Sequence, residues 1–315
     1  MSAPLKLAVV LILFGVAAAH AGEVATPWTG KSPAESRLIL ESAQFEGSGV
    51  IKAGIQIKLD SGWWTYWRAP GASGMPPMFD WSGSENLADD LETIWPTPLR
   101  AVAYGENLNV YRDEVVFPIE FRALDPTKPV KLHLKITYGV CRNMCVPAWA
   151  EHELTLHPAE GEPEIDEANA KLIEAYSGRG PSPDPQTAGM AIHEVRASVD
   201  DGKVVLSVRV RGLGGARRAL VLIEGPGFMR VAEIKPSEID GRTAVLKLTI
   251  GGAPQFRKLK GKRIRITVID GERALEQVWV VGAQGSSTAG VGLTPVPRRP
   301  IDKPEPWAHA LSALE

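Results

Sequence analysis

Cys141 and Cys145 are the only cysteines in this chain of 315 residues. Three intervening residues allow a disulfide on one helical turn or between tightly joined strands, because bridged α-carbons lie roughly 4.4–6.8 Å apart. A bridge across so short a loop stabilises a fold by only about 2 kcal/mol on entropic grounds, against about 4.7 kcal/mol for roughly 100 residues. The pair is therefore poorly placed as a structural staple, and thiol–disulfide exchange competes with a structural bridge and a metal site as its role.

A zinc site is the metal alternative, because His152 and His157 follow the cysteines. The interval between Cys145 and His152 is short for a zinc finger. The two histidines also differ by an odd number of positions on one predicted strand, so their side chains point to opposite faces. The chain contains neither a nucleophile-elbow motif nor a phosphate-binding loop of the Walker type. We expect no metal and no other cofactor.

The amino-terminal residues indicate the compartment. An apolar run from Leu7 to Ala19 ends in Ala19-His20-Ala21, which has the small-x-small pattern of a signal-peptidase site. We predict that residues 1–21 are a signal peptide and that the mature protein is periplasmic. No later apolar run reaches the roughly 20 residues of a membrane-spanning helix, so we expect no span. In an oxidising compartment, two cysteines tend to pair unless they are reduced.

Charge and composition limit the partners and the fold class. The formal net charge is −2 with interspersed signs, so we expect neither nucleic acid nor an anionic membrane surface as a partner. Alternating apolar segments, with 31 glycines and 25 prolines, predict a mainly β protein. Six of the nine tryptophans lie between Trp63 and Trp149, which is typical of a tryptophan-rich sandwich core. The alternative is that one or two of them line the cysteine site.

The elements around the cysteines indicate how they are held. Apolar residues alternate from Val130 to Tyr138, and the run from Trp149 to Leu156 is typical of a returning strand. The pair therefore lies near a hairpin-like connection, which is exposed enough to react and held by a rigid scaffold. Arg142 is the one cation between the cysteines and can lower the pKa of a thiol.

Composition shifts divide the chain further. A short amphipathic helix is predicted from Glu164 to Tyr176, and regularly spaced strands after it predict a second β-sandwich. The predicted segments are a signal peptide (1–21), a polar lead (22–36), a β-sandwich with the cysteine pair (37–158), a helix and linker (159–186), a second β-sandwich-like domain (187–283) and a disordered tail (284–315).

Three ordered motifs carry a family resemblance. They are Gly62-Trp63-Trp64-Thr65-Tyr66-Trp67-Arg68, then Tyr104-Gly105 with Val110-Tyr111-Arg112-Asp113-Glu114, and then Tyr138 to Pro147 with both cysteines. In this order they resemble the N-terminal periplasmic domain of the transmembrane disulfide reductase DsbD, over roughly Leu38 to Leu156.

The resemblance implies an immunoglobulin-like β-sandwich whose cysteine pair, on adjacent strands, accepts electrons and passes them to periplasmic thiol proteins. By that likeness Cys145 forms the mixed disulfide with the reductant and Cys141 resolves it. Trp64 and Tyr66 then lie beside the pair, and the loop around Tyr104 and Gly105 covers it. These expectations make the protein a reductase-like oxidoreductase component.

Two departures from the family pattern matter. Ala101, Val102 and Ala103 stand where the family has an aromatic shield and two acidic residues, and the cysteines are closer together. We also find neither a membrane transporter nor a thioredoxin-like domain, so the expected reductant acts in trans: a membrane electron transporter or a thioredoxin-like protein. The alternative is a two-sandwich periplasmic binding or adaptor protein with a purely structural disulfide.

Overall fold

A computed structural model describes most of the chain between residues 22 and 296. The described residues are 22–71, 73–103, 105–200, 203–214, 219–225, 228–229, 235–240, 243–252, 261–282 and 291–296. The predicted signal peptide lies outside them. No helix in the described ranges combines the length and apolar character that crossing a membrane requires. Strands dominate, which confirms the predicted fold class.

The first sandwich packs two sheets face to face around one core. One sheet has the order β1-β2-β4-β10-β7, and the other has the order β3-β12-β11-β5-β9-β8, with β6 pairing β11. The strands of the first sheet are β1 (Thr29–Lys31), β2 (Ala34–Leu40), β4 (Ile51–Leu59), β7 (Glu92–Thr93) and β10 (Glu114–Phe121). Those of the second are β3 (Gln44–Phe45), β5 (Trp64–Gly71), β6 (Met78–Asp80), β8 (Leu99–Ala103), β9 (Glu106–Arg112), β11 (Val130–Cys141) and β12 (Cys145–Pro158).

Alternation along the strands builds this core. Ile55 and Phe117 from one sheet join Leu132 and Tyr138 from the other in a single buried cluster. Because successive side chains of a strand point to opposite faces, the intervening residues of β11 and β12 lie on the outer face of the second sheet. That outer face carries the cysteines.

Two short helices follow the first sandwich. Helix α1 (Glu167–Ser177) begins later than predicted, because the side chain of Asp166 accepts a hydrogen bond from the backbone N–H of Asn169 and caps it. Its Ile173 packs against Ile39 and Val116 on the outer side of the first sheet. Helix α2 (Pro185–Ala188) is capped in the same way by Asp184.

The second sandwich is one path of strands folded around a second core. Its order is β16-β15-β19-β20-β21-β13-β14-β18-β17. Leu206 and Leu246 from one half pack in one cluster with Val221 and Ile266 from the other. The strands are β13 (Ala191–Asp200), β14 (Lys203–Arg211), β15 (Leu220–Gly225), β16 (Phe228–Met229), β17 (Lys235–Asp240), β18 (Thr243–Gly252), β19 (Arg263–Asp270), β20 (Arg273–Val281) and β21 (Val291–Val296).

Two predicted segments differ from the structure. Residues 22–36 are not merely a polar lead, since they contain β1 and the start of β2, and Thr26 and Ser36 are buried. Within the predicted tail, Val291–Val296 forms β21, which pairs with both β13 and β20. One of these partners, β13, is almost 100 residues away, and such a contact leaves no local compositional signal. The rest of the tail, 284–290 and 297–315, lies outside the described residues.

Candidate redox site

The cysteines close the hairpin between β11 and β12. Antiparallel pairing runs without a break from Val130 and Leu156 to Cys141 and Cys145, whose α-carbons are 4.1 Å apart. Direct cross-strand partners have side chains on the same face, so the pair forms a disulfide with an S–S distance of 2.06 Å. The hairpin predicted near the cysteines is present, and its strands reach the cysteines themselves.

The two sulfurs have different environments. Cys141 is buried, with 1% of its surface exposed, whereas Cys145 is exposed at the start of β12. Thiol–disulfide exchange requires an attacking thiolate to reach one sulfur in line with the bond that breaks. Of the two, Cys145 is the sulfur that an incoming protein can reach.

Strand β5 supplies the aromatic residues beside the disulfide. Trp64 is the cross-strand partner of Cys141, and both are buried in one small cluster with Tyr66. The hydroxyl of Tyr66 donates a hydrogen bond to Sγ of Cys141 at 2.9 Å and lies 3.7 Å from Sγ of Cys145. The family resemblance implied that both aromatic residues lie beside the pair, and the geometry adds that Tyr66 makes a polar contact with Sγ of the buried Cys141.

Two glycines that the sequence did not single out allow this packing. A β-carbon on Gly74, whose φ is +129°, would lie 2.4 Å from the ring of Tyr66. Gly139 lets the next part of that loop approach β11, where its N–H donates to the carbonyl of Met75 at 2.9 Å. Thr65 fixes the other side, because its hydroxyl donates to the carbonyl of Gly139 at 2.8 Å. The loop between β5 and β6 therefore lies over Tyr66.

The hairpin of β8 and β9 forms another wall. Ala101 and Ala103 pack against the cluster of Trp64, Tyr66 and Cys141, while Val102 points outward and is exposed. The small side chains at these positions thus contribute apolar contact from the strand before the turn. Gly105 lies just after β8 with a φ of +76°, a left-handed value that favours glycine. Tyr104 lies outside the described residues, and covering of the disulfide by this loop stays a prediction.

Two arginines lie near the disulfide hairpin. The exposed side chain of Arg142 extends over the turn before β5, where a β-carbon on Gly62 would lie 3.3 Å from its Nε. The Cζ of Arg112 lies 5.4 Å from the centroid of the Trp64 ring. The proposed effect of Arg142 on a thiol pKa remains a prediction, since both cysteines are disulfide-bonded.

The histidines weighed for zinc point to opposite faces of β12, as their odd spacing predicts. His157 is exposed, and His152 is buried with its Nδ1 3.1 Å from the hydroxyl of Thr26 and its Nε2 2.9 Å from that of Ser36. Burial lowers the pKa of His152 to about 4. Among the described residues, no three His, Cys, Asp or Glu side chains lie close enough to hold a metal ion.

An apolar strip runs along β12 from Cys145. Every second residue at the start of β12 lies on the outer face of the sheet: Cys145, Pro147 and Trp149. Trp149 is 71% exposed. Met144 beside Cys145 is also exposed. That one or two tryptophans line the site was an alternative from the sequence, and Trp149 was not singled out. The available signal was that Trp149 and Cys145 are an even number of residues apart on one strand, so that both side chains point to the same face.

The comparisons with known proteins concern this region and the fold. The family model described as "Thiol:disulfide interchange protein DsbD, N-terminal" matches residues 35–157. The crystal structure of the N-terminal periplasmic domain of ScsB from Proteus mirabilis is similar in fold, with a TM-score of 0.60 and 20% identity over 80% of this chain and 96% of that one. A marsupial T cell receptor covers 82% of this chain and 97% of its own, but its TM-score of 0.20 and identity of 8% carry no argument. No curated protein matches the chain.

Proposed function

Residues 35–157 form a domain of the DsbD N-terminal family, and we propose that this protein is a periplasmic thiol–disulfide exchange relay. Its Cys141–Cys145 pair accepts two electrons from a reductant in trans, either a membrane electron transporter or a thioredoxin-like protein. It passes them to the disulfides of periplasmic thiol proteins. The observation that carries the proposal is the asymmetry of the pair: Cys145 is an exposed residue, and it is bonded to the buried Cys141, whose Sγ accepts a hydrogen bond from the hydroxyl of Tyr66.

Reduction of the pair proceeds in two exchange steps. A thiolate of the reductant attacks Sγ of Cys145, the new S–S bond forms, and Cys141 leaves as a thiolate. The O–H of Tyr66, already 2.9 Å from this sulfur, donates to the developing negative charge. A second thiol of the reductant then attacks the mixed disulfide and releases Cys145. The reductant ends as a disulfide, and the protein holds the two electrons as a dithiol.

Delivery to a client reverses these roles. The thiolate of Cys145 attacks the client disulfide and forms a mixed disulfide, and one client sulfur leaves as a thiolate that takes up a proton. Cys141 then attacks Sγ of Cys145, which restores the internal disulfide and releases the second client thiolate. Because Cys141 already lies in bonding register with Cys145, this resolving step needs no strand movement.

The partner approaches from the outer face of β12, since that is where Cys145 is exposed. Trp149 lies four residues along the strand, about 13 Å away. Weak redox encounters bury less than about 1,200 Å² in total, or about 600 Å² on each partner, which is a patch about 14 Å in radius. A protein whose sulfur meets Cys145 near the centre of such a patch also reaches Trp149. We therefore include Met144, Pro147 and Trp149 in the partner-facing surface.

Measuring the reduction potential of the pair tests the proposal. The purified protein is equilibrated in glutathione and dithiothreitol buffers, and free thiols are counted at each ratio. A potential in the range of exchange proteins, roughly −120 to −270 mV, supports the relay. A potential well below about −300 mV would make the bridge structural and leave the binding or adaptor role as the better description.

A further inference from the structure

A buried cluster of charges joins the redox strand β5 to the second sandwich. Arg68 of β5 donates through Nε to both carboxylate oxygens of Glu224, at 3.0 and 3.1 Å, and through Nη2 to one of them at 2.9 Å. It also donates to Glu276. Glu224 and Glu276 belong to β15 and β20 and are 3% and 7% exposed. Arg265 and Thr267 complete the cluster, with contacts to Glu276 of 3.4 and 3.0 Å.

The cluster is balanced in charge and mostly buried, with Arg265 its most exposed member at 28%. Two arginines and two glutamates cancel, and several hydrogen bonds satisfy the carboxylates, which is the condition under which buried charges are tolerated. Apolar contacts also join the two sandwiches, because four residues of the second belong to the buried core cluster of the first: Leu220, Leu222, Ile269 and Ala274. Separating the two sandwiches would expose this apolar surface and rehydrate four charges.

Arg68 holds β5 where its strand pairing is interrupted. The pairing of β5 with β9 is regular from Trp64 to Tyr66 and resumes only at Gly71, with a register shift between them. Other contacts fix this irregular stretch. The side-chain amide of Asn109 donates to the carbonyl of Ala69 at 2.8 Å, and the guanidinium of Arg68 lies 4.2 Å from the ring of Trp67. The anchor to the second sandwich therefore lies directly between Tyr66 and the loop that covers its ring.

We infer that the second sandwich is a fixed part of the redox unit, and that Arg68, held by Glu224 and Glu276, is a positioning residue for the hydroxyl of Tyr66 at Cys141. The inference rests on the proposed exchange at this pair and assigns the second sandwich a role in it. The physical reason is that a stretch whose pairing with the neighbouring strand is interrupted depends more on side-chain contacts to keep its place. Those of Arg68 are the charge-assisted bonds of this stretch, which are stronger than neutral ones.

A double-mutant cycle tests the coupling. Tyr66→Phe removes the hydrogen bond to the Cys141 thiolate, so the dithiol–disulfide equilibrium should shift about tenfold towards the disulfide, or roughly 30 mV to more negative potential. Glu224→Gln should shift it in the same direction by about threefold, because a loosened β5 holds Tyr66 less well. Combined with Tyr66→Phe, Glu224→Gln should add nothing, since both act through one contact.

The controls separate positioning from stability. Glu194→Gln in β13 removes a carboxylate that pairs with Arg196 and Arg209 away from this cluster, and it should leave the potential unchanged. Arg68→Lys keeps the positive charge but loses the paired N–H donors of the guanidinium that bind the carboxylate of Glu224. If Glu224→Gln does not fold, Arg68→Lys replaces it in the double-mutant cycle with Tyr66→Phe. An equal shift from Glu224→Gln in the wild-type and Tyr66→Phe backgrounds would overturn the inference, as would an unchanged potential in folded protein.

The experiment also separates this inference from the relay. Small-molecule dithiol buffers measure the redox equilibrium of the pair without any protein partner. If the wild-type pair equilibrates with these buffers but reacts with no protein, the relay is contradicted and the positioning role of Arg68 is not. Additive effects of Glu224→Gln and Tyr66→Phe would defeat the positioning role and leave the relay intact.

Discussion

Cys141 and Cys145 are direct cross-strand partners, yet only Cys145 is open to solvent. The difference arises because Cys141 ends a strand that is flanked by β5 and β12, whereas β3 pairs with β12 at His157 and Pro158, the end of that strand far from Cys145. The fold thus distinguishes two chemically identical thiols, and each can be assigned a different step of exchange.

Substituting the cysteines one at a time should reveal this division. In Cys141→Ser, Cys145 remains exposed and cannot be resolved from within, so mixed disulfides with partner proteins should accumulate. Cys145→Ser leaves only the buried thiol of Cys141. It should accumulate at least tenfold fewer mixed disulfides than Cys141→Ser, because exchange depends on access to the sulfur. Non-reducing electrophoresis with mass spectrometry measures the adducts. Equal trapping by both variants would contradict the assignment.

Trp149 should contribute to recognition of protein partners without affecting the chemistry. With the partner isolated on Cys145, Trp149→Ala should lower kcat/KM for exchange by about tenfold, the scale of losing an aromatic anchor. Its rate with dithiothreitol should not change. Leu124→Ala is the matched control, because Leu124 is 70% exposed and lies before β11, at the end of that strand remote from Cys141. If both variants behave alike, the strip is not the docking surface.

Gly74→Ala should loosen the cover over Tyr66. The added β-carbon would clash with the ring at 2.4 Å, so the loop or the tyrosine must move, at a cost of about 1–3 kcal/mol in the free energy of unfolding. Reduction of the disulfide by dithiothreitol should become faster. Gly47→Ala is the reference for a glycine substitution elsewhere in the first sandwich, since nothing lies within 4 Å of an added β-carbon and its φ of +53° is in the left-handed region that other residues can adopt. It should leave the reduction rate unchanged, and an unchanged rate in Gly74→Ala as well would contradict a covering role for this loop.

Acid should weaken the first sandwich through His152. Burial lowers its pKa from 6.5 to about 4 in the folded state, so below pH 6.5 the unfolded chain binds a proton that the folded protein does not. The free energy of unfolding should therefore fall as pH drops from 6.5 to 4, by about 3 kcal/mol for this group. Urea unfolding at several pH values measures the slope.

Two substitutions isolate the contribution of His152 to that slope. His152→Gln should flatten the loss of stability between pH 6.5 and 4, because the titrating ring is gone. His157→Gln, on the exposed face of the same strand, should leave the slope unchanged. A slope that survives in His152→Gln would assign the acid sensitivity to other groups.

Local patterns predicted the β class and the hairpin at the cysteines, because a strand shows itself as alternation of apolar and polar residues along a short stretch of chain. They stopped the strands too early, at Tyr138 and Trp149, since Gly139 and Pro147 interrupt the apolar alternation. In the structure these two residues are cross-strand partners within β11 and β12. The N–H of Gly139 donates to the carbonyl of Met75 and not to β12, so Gly139 and Pro147 do not exchange backbone hydrogen bonds. A proline, which has no N–H, is therefore tolerated opposite Gly139.

The sequence by itself determined the cysteine pair, its spacing and the motifs that mark the redox domain. Only the tertiary structure decided that Cys141 is buried, that Tyr66 donates to it across 75 residues, and that Arg68 reaches Glu224 across 156. Such contacts depend on which strands become neighbours and in what register. No local pattern encodes that choice, because it is made by burying all the apolar faces of both sandwiches at once.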